Sequence, residues 1–353
     1  MTDTTQYWVQ RSTMTSRLGM VIGLLMLAVF ISVPYWGGRA EMRLLVEVFY
    51  ILALAQLWNL LAGYGGLVSV GQQAFLGFGG YMLFVLSIHV GIGAVWTVPL
   101  AGILGALISL PVAFLVFRLR GHYFAIGTWV VAEVFMLVFA QIIVLGGGSG
   151  ASLPVSVVRS IASSRSARDA TIYWLALAVV VAVIVIVYLL LRSRHGLALT
   201  AIRDSEEASR SLGVNNFRAK LMVYIFAAFG TAAIGALVYL TKLRISPAAA
   251  FDITWTTTVI FIVVIGGIGT IEGPIVGTLI YFLLREPLAD YGSWYLILLG
   301  STAVVIMLKA PQGIWGMVSE RFELHFFPLQ RRLKIREIRT GLGGHLHRIE
   351  AEI

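Results

Sequence analysis

The feature that most constrains this chain is the recurrence of apolar segments as long as a bilayer is thick. Leu18 to Tyr35, Leu44 to Ala62, Leu67 to Ile88, Ile92 to Phe117, Tyr123 to Leu145, Thr171 to Leu191 and Leu221 to Leu240 each contain at most one charged residue. About 20 helical residues cross the hydrocarbon core, where the backbone finds no water to bond and must satisfy itself within a helix. Composition agrees: 59% of the residues are hydrophobic and 12% charged, against roughly 45–50% and 25% in soluble domains. The expected fold is all-α, a polytopic membrane protein with about 8–10 transmembrane segments. Leu18 to Tyr35 reads as a retained first span, because no small-residue cleavage site follows it closely.

Between Thr254 and Leu284 the pattern changes. Two shorter apolar runs are split by GGIGTIEGP, and a run of about twelve residues rises only about 18 Å, too little for a core of about 30 Å. A broken or re-entrant pair near 254–284 is expected, with Ser293 to Leu308 as the last span. The chain divides into an N-terminal segment 1–17, a membrane domain 18–308 with a central loop 192–220, and a tail 309–353. In the tail, Leu324 to Ile338 mixes apolar and basic residues, as a surface-lying or a solvated segment would.

Basic residues orient the spans. With the N-terminus inside, Arg39, Arg43, Arg159, Arg165, Arg168, Lys242, Arg244 and Arg285 fall outside, and the remaining eighteen of the 26 lysines and arginines fall on the cytoplasmic side. Lysine and arginine next to spans resist translocation, so both termini and the central loop are expected in the cytoplasm. The net charge of +9 reads as this bias toward anionic lipid, not as nucleic-acid binding.

The central loop, RSRHGLALTAIRDSEEASRSLGVNNFRAK, is the one long charge-rich interval between two spans. Asp204 can cap a helix, Glu207 follows three residues later as in a capping box, and Gly213 suits a left-handed stop. The spacing predicts a helix of two turns from Ser205 to Leu212. Arg203, Asp204, Glu206, Glu207, Ala208, Leu212 and Gly213 would form a knob that a cytoplasmic partner can grip.

Polar residues inside the spans are the candidates for a solute pathway. In NLLAGYGGLVSVGQQAFLGFGGY, Gly66, Ser69, Gln73, Gly77 and Gly80 recur at spacings of 3, 4, 4 and 3, as on one helical face. Such a face serves close helix packing, a pathway wall, or both, and Ser69, Gln72 and Gln73 would offer hydrogen bonds. Glu133 lies mid-span with Trp129 and His122 at helical offsets, and an acid at that depth is expected to face the interior, as a functional residue or an interhelical anchor. Glu272 follows Gly266 and Gly267, where half-helix ends would direct dipoles toward a solute. Glu47 reads as interfacial.

Other chemistry is excluded or unsupported. There is no cysteine. No Gly-Lys pair occurs, so no phosphate-binding Walker loop exists in the chain. The six histidines lack the spacing of a metal site, and no nucleophile or carboxylate pair suggests catalysis. No metal, cofactor or catalytic residue is expected.

Glu207-Ala208-Ser209, three residues and Gly213 resemble the EAA-x-x-x-G coupling motif of ABC importer permeases. With that segment, the glycine-rich NLLAGYGGLVSVGQQAFLGFGGY, LRLRGHYFAIGTWVVAEV, GGIGTIEGPIVGT and the closing KAPQGIWG, the chain from about Leu44 to Gly316 resembles the LivM branch of the branched-chain amino acid ABC permeases, the LivH/LivM family. The resemblance implies a transmembrane subunit in the bacterial inner membrane. Its partners would be a sister LivH-type permease, two LivG/LivF-type ATPase subunits, a periplasmic substrate-binding protein and membrane lipid. It implies import of branched-chain or other hydrophobic amino acids. His122 and GGGSGAS depart from the family's usual residues, and relatives that move urea or short amides share most landmarks, so that substrate class is the alternative. An ion-coupled secondary transporter would explain Glu133 and Glu272 but leaves the capped loop helix without a purpose.

Overall fold

The computed structural model describes residues 4–10, 14–162, 164–288, 294–310, 312–322, 326–327, 332–340 and 346–352. Phe30–Met317 form one compact unit, and Met1–Val29 with Val318–Ile353 form a second, smaller one.

The larger unit is built of helices. After α1 (Met14–Trp36) come α2 (Arg39–Asn59), extended by a π-helical turn at Leu60–Tyr64, and α3 (Gln72–Phe84), extended likewise at Val85–His89. Then follow α4 (Ala94–Val116), α5 (His122–Gln141), the short α6 (Val155–Ile161) and α7 (Arg165–Arg192). The central loop holds α8 (Arg194–Asp204) and α9 (Glu206–Ser211), and leads into α10 (Asn216–Lys242). A one-turn α11 (Pro247–Ala250), α12 (Thr254–Gly266), α13 (Glu272–Leu288), α14 (Trp294–Lys309) and the first residues of α15 (Gly313–Phe322) complete it. Among the described residues, seven helices are long and apolar enough to cross a membrane. The expectation of an all-α polytopic membrane protein holds. Among the described residues of this unit, the strands are β2 (Ala151–Ser152) and β3 (Arg244–Ile245), an antiparallel pair.

The centre of the bundle is made by α2 and α10, whose spans are 72% buried, whereas the span of α1 is 6% buried. Small residues let the helices approach: Gly79 of α3 lies against the backbone of Ala232, Gly235 of α10 against that of Leu76, and Gly105 of α4 against Ala228 and Ala232. Without a hydrophobic drive inside lipid, such backbone-to-backbone contact supplies the packing energy.

Two expectations are corrected here. The stretch from Gly66 to Gly71 is not helical, since α3 begins at Gln72 and Gly66 has φ +66°. Gly66 and Ser69 therefore do not share a helical face with Gln73, Gly77 and Gly80. The break near 254–284 is real, but it is confined to 267–271. Glu272, Gly273 and Pro274 belong to the first turn of α13, where a proline costs no hydrogen bond and an acid faces the positive helix end. With α11, the first arm covers Pro247–Gly266, 20 residues, and the second arm has 17, so the pair is a hairpin of two long helices. Its seam is close: Gly266 packs on the carbonyl of Gly273 and Gly277 on that of Ile262.

The smaller unit contains a three-stranded antiparallel sheet in the order β1 (Thr4–Gln10), β4 (Arg332–Thr340), β5 (Leu346–Glu352). Thr4 pairs with Ile338 and Gln10 with Arg332; Lys334 pairs with Glu352 and Thr340 with Leu346. Much of the apolar-basic stretch in the tail is thus a central strand. Residues 324–325 and 328–331 of that stretch, Arg11, and Ser293 at the expected start of the last span lie outside the described residues.

Candidate functional site

The central loop forms a knob fixed at both ends. Ser193, the single residue between α7 and α8, accepts a hydrogen bond from the amide of His195 (3.2 Å), and Leu199 and Ile202 of α8 are buried. The cap of α9 is Ser205, whose hydroxyl accepts from the amide of Ala208 (3.2 Å). Asp204 is not the cap, and Glu207 closes no capping box. Asp204 is the last residue of α8, where an acid meets the negative helix end, and Arg203 neutralises it at 3.0 Å. Gly213 stops α9 as expected. Its φ is +81°, the amide of Val214 donates to Ser209 O (3.1 Å) and that of Gly213 to Arg210 O (2.9 Å), the Schellman arrangement.

Below the knob, polar side chains tie α9 to the start of α10. Ser209 is buried and donates to Asn216 Oδ1 (3.0 Å), while Asn216 Nδ2 donates to Glu206 O (2.8 Å). The Glu206 carboxylate receives Lys220 at 2.9 Å and Arg210 at 3.1 Å. The hydrogen bond from Lys220 holds its pKa below the usual carboxylate range, against an opposing push from partial burial. Glu207, Ala208 and Leu212 point away from these contacts and are exposed, Leu212 by 80%.

A second set of contacts links the knob to the glycine turn of the hairpin. Arg203 Nη1 donates to Gly63 O (2.9 Å) in the π-helical end of α2. Gly63 lies against Gly269, and a Cβ there would stand 2.6 Å from the Gly269 nitrogen. Asn59 clasps the turn from the next helical level, accepting from the Gly269 amide (2.8 Å) and donating to Thr270 O (2.7 Å). Gln56, a further three residues back, donates to Ile271 O (2.6 Å). Gly266, Gly267 and Glu272 are buried around this turn, and Gly313 at the start of α15 abuts the backbone of Gly266 and Gly267. Gln56 and Asn59 were missed in the sequence, although two amides three residues apart in an apolar span were a usable signal.

The amides near the start of α3 lie inside the chain. Gln72 Nε2 donates to Thr231 Oγ1 (3.0 Å) of α10, and Thr256 of α12 donates to Gln73 Oε1. Ser69 is buried, with its carbonyl accepting from Trp58 Nε1 (2.7 Å). Gln72 Oε1 and Gln73 Nε2 have no hydrogen-bond partner among the described residues. Glu133 is different. It accepts from Trp129 Nε1 (3.1 Å) one turn earlier on α5, and makes no ion pair among the described residues. The buried face of α5 is formed by Phe124, Thr128, Ala132 and Phe139, while Trp129, Val130 and Val134 are exposed, and Glu133 is half-buried at the edge of that face.

At the opposite ends of the helices, Arg39 bonds Asp169 (2.7 Å) and Arg285 bonds Glu47 (2.7 Å). Arg43, Arg168 and Lys242 line one cleft of about 380 Å³ there. Of the eight basic residues assigned to the far side by charge counting, Arg39, Arg43, Arg168, Lys242 and Arg285 thus meet at one end.

Helices long and apolar enough to cross a membrane, with a capped loop knob tied to a glycine hairpin, fit a membrane transport permease. Residues 41–308 match the family described as the branched-chain amino acid transport system / permease component, and the chain belongs to that family. It is 28% identical over 338 residues to the high-affinity branched-chain amino acid transport system permease protein LivM of Escherichia coli, covering 90% of this chain and 79% of the relative. The same identity and coverage hold for LivM of Salmonella typhimurium. No solved structure matches the chain.

Proposed function

We propose that the chain is one of two permease subunits of an ATP-driven importer, carrying branched-chain or other hydrophobic amino acids handed over by a periplasmic binding protein. It sits in the bacterial inner membrane with both termini and the knob in the cytoplasm, and two separate ATPase subunits supply the energy. The observation that carries this reading is the knob itself. A helix of six residues, too short to be stable alone, is capped at both ends and locked to α10, and yet presents Glu207, Ala208 and Leu212 to the outside. Such a surface suits a partner that pushes on it. Arg203 and Asn216 would carry the push to the glycine hairpin and to α10. Around that hairpin, Glu272, Gly266 and Gly267 with the unpaired amide atoms of Gln72 and Gln73 form the candidate pathway within the subunit; Trp129 and Glu133 would contribute from the outer face of α5.

The test is to make Gly213→Val and Glu207→Lys in the assembled transporter. Valine at φ +81° is strained by on the order of 1–2 kcal/mol, and lysine reverses the exposed charge of the knob. Both variants should insert and pair with the sister permease. Both should lose ATPase in pull-downs and lose stimulation of ATP hydrolysis by loaded binding protein. Normal stimulated hydrolysis in both would sink the assignment. Uptake assays with leucine and urea in competition separate the amino acid reading from the amide one.

A further inference from the structure

Beside the knob lies a cleft of about 530 Å³ that the transport reading does not use. Leu67, Phe117, Phe124 and Phe217 give it an apolar floor, and Arg120, Arg210 and Lys220 stand around it with His122. Its one acid, Glu206, already has both oxygens held, by Arg210 (3.1 Å) and Lys220 (2.9 Å). Arg120 is exposed and makes no ion pair among the described residues. The cleft is therefore a cationic pocket with spare positive charge, of the size that small ligands occupy.

Its position says which anion fits. The cations sit where α4 ends and where α5 and α10 begin, at the level where a span leaves the hydrocarbon. One turn further in on α4 and α5 the surface is apolar and open: Phe114 is 62% exposed, Leu115 64%, Tyr123 73% and Ile126 54%. Basic groups above an exposed apolar wall match a molecule that is anionic at one end and aliphatic at the other. We propose that this cleft binds the phosphate of an anionic phospholipid. Its chains lie along the outer faces of α4 and α5, and its phosphate bridges Arg120 on the α4–α5 turn to Arg210 on the knob. The lipid then acts as a brace that holds α9 at a fixed distance from the membrane surface.

The experiment uses the purified full chain in nanodiscs of phosphatidylcholine alone and of phosphatidylcholine mixed with phosphatidylglycerol, with bound lipid counted by native mass spectrometry and unfolding followed by tryptophan fluorescence. The parent should retain phosphatidylglycerol in preference to phosphatidylcholine and unfold at a higher temperature in the mixed discs. Arg120→Gln should weaken phosphatidylglycerol retention about fivefold, the effect of one basic contact near a charged bilayer, and Arg120→Lys should restore most of it. Arg159→Gln, on α6, should change nothing. Equal retention of the two lipids, or full retention by Arg120→Gln, would overturn the proposal. An equal thermal rise on adding soluble glycerol phosphate to phosphatidylcholine discs would also overturn it, since the site would then be one for a free anion.

Discussion

Asn59→Ala removes the clasp between the second span and the glycine turn. Asn59 is fully buried, and its amide makes two hydrogen bonds, at 2.8 and 2.7 Å, to the amide of Gly269 and the carbonyl of Thr270 in that turn. Each bond contributes about 0.5–1.5 kcal/mol net, and a buried partner left unpaired costs about 1–3 kcal/mol. Because the turn is only part-buried, water reaches some of what alanine would expose, and about 2–4 kcal/mol is expected in all. With about 2.1 cal/mol/K of unfolding entropy per residue, a chain of this length loses about 3–5 °C of melting temperature. Gln56→Ala deletes a single bond, to Ile271 O at 2.6 Å, and should cost about half as much. The assay is thermal unfolding of the detergent-purified full chain by tryptophan fluorescence, with hydrogen exchange read at 267–271. Faster exchange there, confined to the turn, is the second expected sign. If Asn59→Ala melts within a degree of the parent, or no lower than Gln56→Ala, the clasp does not hold the turn and the route from Arg203 to the hairpin loses its anchor.

Arg203→Ala should leave ATPase association intact, because Glu207, Ala208 and Leu212 are untouched, but should uncouple hydrolysis from uptake in reconstituted transporter; loss of association instead would make Arg203 part of the docking face. The knob should depend on pH through Glu206. Its folded pKa lies below the ordinary 4.5, so its stabilising contribution is present above that value and is lost as pH falls through the folded pKa. Protection of the α9 amides, measured against their intrinsic exchange rate at each pH, should fall under acid below about 4.5, and Lys220→Gln should move the onset upward; an onset unaffected by Lys220→Gln would disprove the link. Glu133→Gln should retain most transport, because its partner in the chain is the Trp129 N–H, which a glutamine oxygen also accepts. Abolished uptake in that variant, with proton-gradient dependence in the parent at constant ATP, would favour an ion-coupled carrier.

The sequence by itself determined the membrane class, most of the spans and the short helix α9. Apolar runs of bilayer length have one stable outcome in lipid, a helix, whatever their neighbours are. Gly213 ended α9 as read, because a left-handed residue is a local requirement. The error at the cap was also local, by one residue: Ser205, not Asp204, caps α9, since several residues in RDSEE are competent caps and only the angle between α8 and α9 selects one. Tertiary structure alone decided which polar residues meet. Gln56 and Asn59 lie more than 200 positions from the turn they hold, and no periodicity within α2 names that partner. The same holds for Glu133, whose helical face was legible while the side of α5 that would be covered was not. That side was set by Phe124, Thr128, Ala132 and Phe139 packing inward, a choice between two apolar faces that only the neighbouring helices could make.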